Sequence, residues 1–163
     1  MDIKERWRTI RKVANRCLEQ TSYCAIATVN EDGSPRVSPI GSLILGEAGK
    51  GFYFDKFTKG MTQNLDRDPR ICVLAVSVGF WPMLKALFRG RFGEPPGLRL
   101  MGRVGAKRKA TAAELEQFRK KVKAFRGLKG YDLLWSDMRY VRDVTFDAFE
   151  PINLGAMGKG LWT

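Results

Sequence analysis

The amino-acid sequence predicts a mainly β domain, six antiparallel strands closing into a barrel with helices flanking it. Three observations lead there. The apolar segments SYCAIATV (22–29), RVSPIGSLIL (36–45) and FYFDKF (52–57) follow one another across the short breaks NEDGSP and GEAGKG, the pattern of an antiparallel meander. Three more strand-forming stretches follow, RICVLAVSV (70–78), PGLRLMGRVGAKRK (96–109) and RYVRDVTFDAFEP (139–151). Clear helical periodicity is confined to three places: before the first strand, between the third and fourth, and before the last. Six short antiparallel strands hide their edges most simply by closing on themselves.

Taken in order, residues 3–20 read as an amphipathic helix, with Ile3, Trp7, Ile10, Ala14 and Cys17 alternately four and three apart and Arg and Lys on the other face. The Asp32-Gly33 pair marks the first hairpin turn. Pro39 inside the second strand points to an edge, a bulge or a ladder interrupted for a ligand. A short helix runs from about Lys59 to Arg67 and Pro69 stops it. The fourth strand is apolar enough to be buried on both faces. A short helix beginning near Pro82 carries large apolar residues and basic ones. Thr111 with Glu114 forms a capping box, and Leu115, Phe118, Val122 and Phe125 keep helical spacing up to Gly127. Residues 128–137 add one or two helical turns. The tail 152–163 has no period. With no internal repeat and no linker, residues 1–163 are expected to form one domain: N-terminal helix at about 3–20, barrel at about 22–150, tail at 151–163.

Composition removes several chemistries. The chain contains no histidine, which excludes Ser-His-Asp and Cys-His catalysis and His-ligated zinc or haem. Cys17, Cys24 and Cys72 are widely spaced with no CxxC pair, so neither a disulfide framework nor a thiolate metal site is expected. No apolar run reaches membrane-span length, and the charged start has no signal core behind it, so the expected location is the cytoplasm. The net charge of +12 is concentrated: residues 80–130 hold 14 basic and 3 acidic residues. Such a field attracts anions, whether a phosphorylated cofactor, an acidic substrate, nucleic acid or an anionic membrane.

The stretch FDKFTKGMTQNLDRDPR (54–70) is the strongest site candidate from the residues themselves. Lys56, Lys59 and Gly60 fall where a strand gives way to a helix, and backbone N–H groups at a helix start with a cation beside them suit a phosphate. A solvated turn is the alternative.

In order along the chain, AIATVNEDGSPRVSPIGSL, GFYFDKFTKGMTQNLDRDPRICVLAV and GLRLMGRVGAKRKAT resemble the flavin-binding split-barrel family, which includes pyridoxamine 5'-phosphate oxidase, over roughly residues 20–125. The resemblance implies a six-stranded split β-barrel of Greek-key type and a homodimer with FMN at the subunit interface. It places Arg36, Val37, Ser38 and Pro39 along the flavin ring or polyol, Phe54, Asp55 and Lys56 near the ribityl chain, and Thr58, Lys59 and Gly60 at the phosphate. Met61 stands where the family usually has a lysine, and Lys59, two residues earlier, is the candidate to replace it. Arg99 joins the cofactor set because it points away from the apolar layer of Leu98 and Leu100, toward the expected interface. The family's vitamin B6 oxidases carry an Arg and a His two apart near the C-terminus. This chain has no histidine, so that activity is not expected.

The implied function is an FMN-dependent oxidoreductase acting on a small-molecule substrate of unassigned identity, an anionic one being suited to the basic field, with no catalytic residue singled out. A deazaflavin coenzyme on the same fold is the first alternative, and a non-catalytic flavin- or nucleic-acid-binding barrel the second. The segment 80–92 reads in three ways: packing on the barrel or on a second subunit, a lid over the cofactor pocket, or a basic amphipathic segment on a membrane surface. Lys120, Lys121 and Lys123, off the apolar stripe of their helix, are expected to face solvent, and the lysine-rich run as a whole to be a solvated face rather than a nucleic-acid site.

Overall fold

A computed structural model describes residues 3–162. Helix α1 (Ile3–Thr21) precedes β1 (Cys24–Val29), β2 (Pro35–Ile40), β3 (Ile44–Leu45) and β4 (Lys50–Phe54). Then come α2 (Lys59–Arg67), β5 (Arg70–Val76), α3 (Phe80–Arg89), β6 (Gly97–Val104) and β7 (Arg108–Lys109). Helix α4 (Ala112–Lys121), α5 (Lys129–Trp135) and the long β8 (Tyr140–Pro151) complete the chain. Each of the six expected strands is present. Two of them break, the second at residues 41–43 into β2 and β3 and the fifth at 105–107 into β6 and β7, which gives eight strands rather than six.

All pairings are antiparallel, in the order β2-β1-β5-β6-β8-β4-β3 with β7 added to β8. The two ends of this sheet, β2 and β3, are consecutive in the chain and joined by only three residues, which lets the strand ends lie at most roughly 14 Å apart. The sheet therefore curls round to bring its ends together. It does not seal: β2 pairs only with β1, and Pro35, Arg36, Val37 and Pro39 on it are exposed. The result is a split half-barrel. At the seam Ser42 substitutes for a ladder, its Oγ accepting from the Phe54 N–H at 3.0 Å and donating to the Phe54 carbonyl at 3.3 Å.

The hairpin turn forms as its residues require. Gly33 takes φ 83°, and Asp32 accepts from the N–H and hydroxyl of Ser34. Between Met101 and Gly102 the β6–β8 register slips by one residue, and a Cβ at Gly102 would lie 2.2 Å from the Thr145 carbonyl, so only glycine lets the strands approach there.

The apolar stripe of α1 fills the concave side against β1, β5, β6 and β8. Ile10 is fully buried among them, and Trp7 stacks on Phe146 at 6.1 Å while its indole N–H donates to the Gly46 carbonyl. Truncating such a residue to alanine costs about 2–5 kcal/mol. A second cluster, Phe54, Phe118, Val122 and Val141, packs α4 and α5 on the other side of β4 and β8. Strand β5 departs from its sequence reading. Its burial alternates strictly, Ile71, Val73 and Ala75 inside and Leu74 and Val76 exposed, so the chain covers only one of its two apolar faces.

Candidate functional site

A cleft of about 620 Å³ opens at the split, within the roughly 300–1,000 Å³ usual for small-molecule sites. Arg36, Ser38 and Pro39 of β2 form one wall, and residues 56–61, leading into α2, form another. Phe118 and Val122 of α4, with Trp135 and Met138 beyond, supply an apolar third.

The start of α2 is the polar end. The first bond within the helix runs from the Thr62 N–H to the Thr58 carbonyl at 2.8 Å. The N–H groups of Lys59, Gly60 and Met61 therefore have no acceptor in the helix, and the N-cap Thr58 supplies none from its side chain. Above them lies Arg36. A Cβ on Gly60 would come within 2.9 Å of the Arg36 Cζ, so the glycine is what lets the guanidinium rest on the helix start. Arg36 Nε donates to Asn30 Oδ1 at 3.0 Å, and Asn64 Nδ2 donates to the same oxygen at 2.9 Å and to Thr28 Oγ1 at 3.0 Å. Asn64 is buried and Leu65 beside it packs into the core. The Asn-Leu pair thus fixes α2 to the barrel on one side and aims Arg36 on the other. Among the described residues neither Arg36 nor Lys59 has a carboxylate partner. Three free N–H groups, a guanidinium and an ammonium form an anion cradle.

Asp55 holds that cradle from behind. Its Oδ1 accepts from Thr58 Oγ1 at 2.8 Å and Thr62 Oγ1 at 2.7 Å, and its Oδ2 from Arg142 Nε at 2.8 Å. Arg142 also donates to Asp66 and to the Gly105 carbonyl. Burial alone would push the Asp55 carboxyl up, but the hydrogen bonds from Arg142, Thr62 and Thr58, with Lys107 nearby, hold it below the ordinary carboxylate range.

The two lysines of the turn have separated tasks. Lys56 Nζ donates to the Leu134 carbonyl at 3.3 Å and lies 4.7 Å from the Phe57 ring centroid, which clasps α5 across the cleft mouth. Lys59 is exposed beside the free N–H groups.

A family model described as pyridoxamine 5'-phosphate oxidase matches residues 10–145. The chain belongs to the pyridoxamine 5'-phosphate oxidase family. Solved structures share the fold at low identity. An FMN-binding protein from Syntrophomonas wolfei subsp. wolfei aligns with TM-score 0.60 and 11% identity over 93% of this chain and 95% of that one. HupZ from Group A Streptococcus gives 0.57 and 16% over 93% and 97%, and an F420 reductase 0.56 and 16% over 83% and 94%. No curated protein sequence matches the chain.

In this family member the split places nine of the twelve sequence-selected positions around one cleft: Arg36, Ser38, Pro39, Phe54, Lys56, Thr58, Lys59, Gly60 and Met61. Met61 does so as a buried residue of the core. The other three stand elsewhere. Val37 alternates onto the opposite face of β2, Asp55 is turned inward to Arg142, and Arg99 lies on the outer sheet face with Glu150 at 3.2 Å. The sequence reading overlooked Asn30, Asn64, Lys121 and Arg142. Only Arg142, a charge inside an alternating apolar strand, carried a local signal. Lys121 is exposed as expected, but its Nζ also donates to the Leu43 carbonyl at 2.9 Å and the residue lines the cleft.

Two further readings change. No residue of α3 lines this cleft, so the segment is not a lid over it within the chain. In the run 107–109, Arg108 is committed to Glu114 and Asp143, each at 2.6 Å. Its hydrogen bonds to Asp143 and Glu114 raise it above its usual value, and hydrogen bonding from Arg108 holds Glu114 at about 2. That run ties α4 to β8. Among the described residues no metal-binding group of side chains occurs, and no helix is long and apolar enough to cross a membrane.

Proposed function

We propose that the cleft holds FMN and that the protein is a flavin-dependent oxidoreductase. The observation that carries this reading is the anion cradle at one end of an apolar cleft: free N–H groups of Lys59, Gly60 and Met61 under Arg36, with Lys59 beside them. The fit is chemical. A cofactor with a phosphate at one end and a flat apolar ring at the other matches a site with a cationic helix start at one end and Phe118, Val122 and Trp135 along its wall. Bound there, FMN would supply hydride transfer. The chain's own groups would fix the phosphate through Arg36 and Lys59, present Ser38 and main-chain groups of β2 to the ring, and keep water from the wall formed by α4. Family membership and the likeness to an FMN-binding protein support the reading.

A homodimer accompanies it. Ala25 and Ala27 of β1, Val37 of β2, Cys72, Leu74 and Val76 of β5 and Met101 of β6 share the outer sheet face, which no helix among the described residues covers. A second copy would bury that face and with it Arg99.

One observation favours a deazaflavin as the second reading. A shallow depression of about 290 Å³ continues from Lys59 past Thr62 to Lys107, with Asp55, the partner of Lys107 at 3.9 Å, also on its wall; its two lysines lie beyond the phosphate end, where a longer anionic tail would run. The F420 reductase of the same fold supports it. Titration of the purified protein with FMN and, separately, with coenzyme F420, read by cofactor fluorescence, tests both. Micromolar or tighter FMN binding is expected; binding of F420 alone would favour the second reading, and binding of neither would overturn both.

A further inference from the structure

Helix α3 turns its apolar face outward. Its one buried residue is Ala86, whereas Phe80, Trp81, Leu87 and Phe88 are 74%, 75%, 62% and 85% exposed. At 3.6 residues per turn these four, with Met83 and Leu84, fall within one arc of roughly 160°, and Pro82 and Ala86 lie on the opposite side. The helix thus rests on the protein by its narrow side and presents its wide apolar side to the surroundings. Phe80 and Trp81 meet edge to face at 5.5 Å, which builds a continuous aromatic surface. An exposed apolar patch of this kind marks a contact site.

The charges around it say what kind. Lys85 borders the apolar arc, Arg89 falls beside Pro82 on the side toward the protein, and Arg91 follows the C-cap Gly90. Together with Trp81 these three line a second cleft of about 390 Å³ on the protein side of the helix. Among the described residues none of the three has an ion-pair partner, and the only acid between residues 80 and 96, Glu94, is engaged by Arg16. Two copies meeting through α3 would bring six such cations together without counter-charges. An anionic lipid surface reverses that balance: aromatic and aliphatic side chains enter the boundary between headgroups and acyl chains, and the cations stay at the level of the phosphates.

We infer that α3 is an interfacial helix that seats this protein on an anionic membrane surface. The inference is independent of the cofactor, because α3 and the flavin cleft share no residue. The test is co-sedimentation of the native chain with vesicles of phosphatidylglycerol and phosphatidylcholine in equal parts, against phosphatidylcholine alone, across a salt series. Binding to the anionic vesicles that weakens with salt is expected. Phe80→Ser with Phe88→Ser should lower partitioning by about tenfold or more, and Lys85→Gln, Arg89→Gln and Arg91→Gln together should remove the preference for anionic vesicles. Brominated lipid should quench tryptophan emission in the native chain and less in Trp81→Phe, a variant that keeps an aromatic side chain and remains readable should the serine pair fail to fold. Absence of binding by the native chain, or binding and quenching that all these variants leave unchanged, would overturn the inference. So would a serine pair that folds and turns a dimer into a monomer in lipid-free sedimentation, because α3 would then be an interface between copies.

Discussion

Arg142 on β8 reaches Asp55 at the end of β4 across 2.8 Å with both side chains buried, and Asp55 in turn holds the hydroxyls of Thr58 and Thr62 at the start of α2. The anion cradle therefore rests on a buried ion pair rather than on a flexible turn. Removing one partner leaves the other charged and desolvated. Arg142→Leu is expected to lower stability by about 3–5 kcal/mol in chemical denaturation. Adding Asp55→Ala to the same chain should recover part of that loss, because it removes the orphaned carboxylate.

The same pair sets a pH dependence. The folded Asp55 carboxyl lies below its unfolded value of about 3.9. Its contribution is therefore present above that pH and disappears as pH falls through the folded value. In Arg142→Leu the buried carboxyl loses its cation, and protonation relieves it instead. Denaturation midpoints measured from pH 7 to pH 3 should show the gap between native chain and variant narrowing as the pH drops. A gap constant across that range would remove the ion pair as the cause.

For the cofactor, Lys59→Ala should weaken FMN binding by about 1.5–3 kcal/mol, roughly tenfold or more, the worth of a charge-assisted contact. Arg36→Ala should do at least as much. Asn30→Ala, which touches neither phosphate nor ring in this reading, should weaken binding less and through orientation, since it frees Arg36 Nε. Equal FMN affinity in all three variants would move the phosphate away from α2.

Local signals made the elements legible. The stripe from Ile3 to Cys17, the Asp32-Gly33 turn and the Thr111–Glu114 capping box all formed as read, because each depends on neighbours within a few residues. What was not legible depends on curvature. The breaks at 41–43 and 105–107 arise where a curling sheet must redirect its strands, and the inward turn of Asp55 depends on Arg142, 87 residues away. Asn30 and Asn64 meet only because α2 packs on the first hairpin. β5 misled for a different reason: an apolar strand open on one face within the chain has the same sequence as one buried on both.

The lysines of α4 separate by position. All three are exposed, but Lys121 lines the cleft and donates to the Leu43 carbonyl, whereas Lys120 and Lys123 line none of the cleft. Lys121→Glu should therefore lower FMN affinity severalfold through repulsion of an anionic cofactor, and Lys120→Glu with Lys123→Glu should leave it within about twofold, as expected for screened surface charges. Titration of the two variants decides. An effect confined to the second variant would place the anionic ligand outside the cleft.

The outer sheet face gives the last prediction. Ala27 sits at its centre, with Val37 opposite on β2 and Cys72 opposite on β5. No basic residue stands directly across from it to neutralise a new charge, whereas Leu74 faces Arg99. In an isolated chain a glutamate at 27 would reach water from a partly buried position on the open face and cost little. In a dimer closed through this face it would be buried without a partner, at a cost of several kcal/mol. The native chain is expected to sediment as a dimer at micromolar concentration, and Ala27→Glu as a monomer with an unchanged thermal midpoint for its own fold. Because the family resemblance places FMN at the interface, the monomer should also bind FMN more weakly although every residue of the cleft is intact. If Ala27→Glu remains dimeric, the sheet face is not the interface; if it becomes monomeric and keeps full FMN affinity, the cofactor needs only one chain.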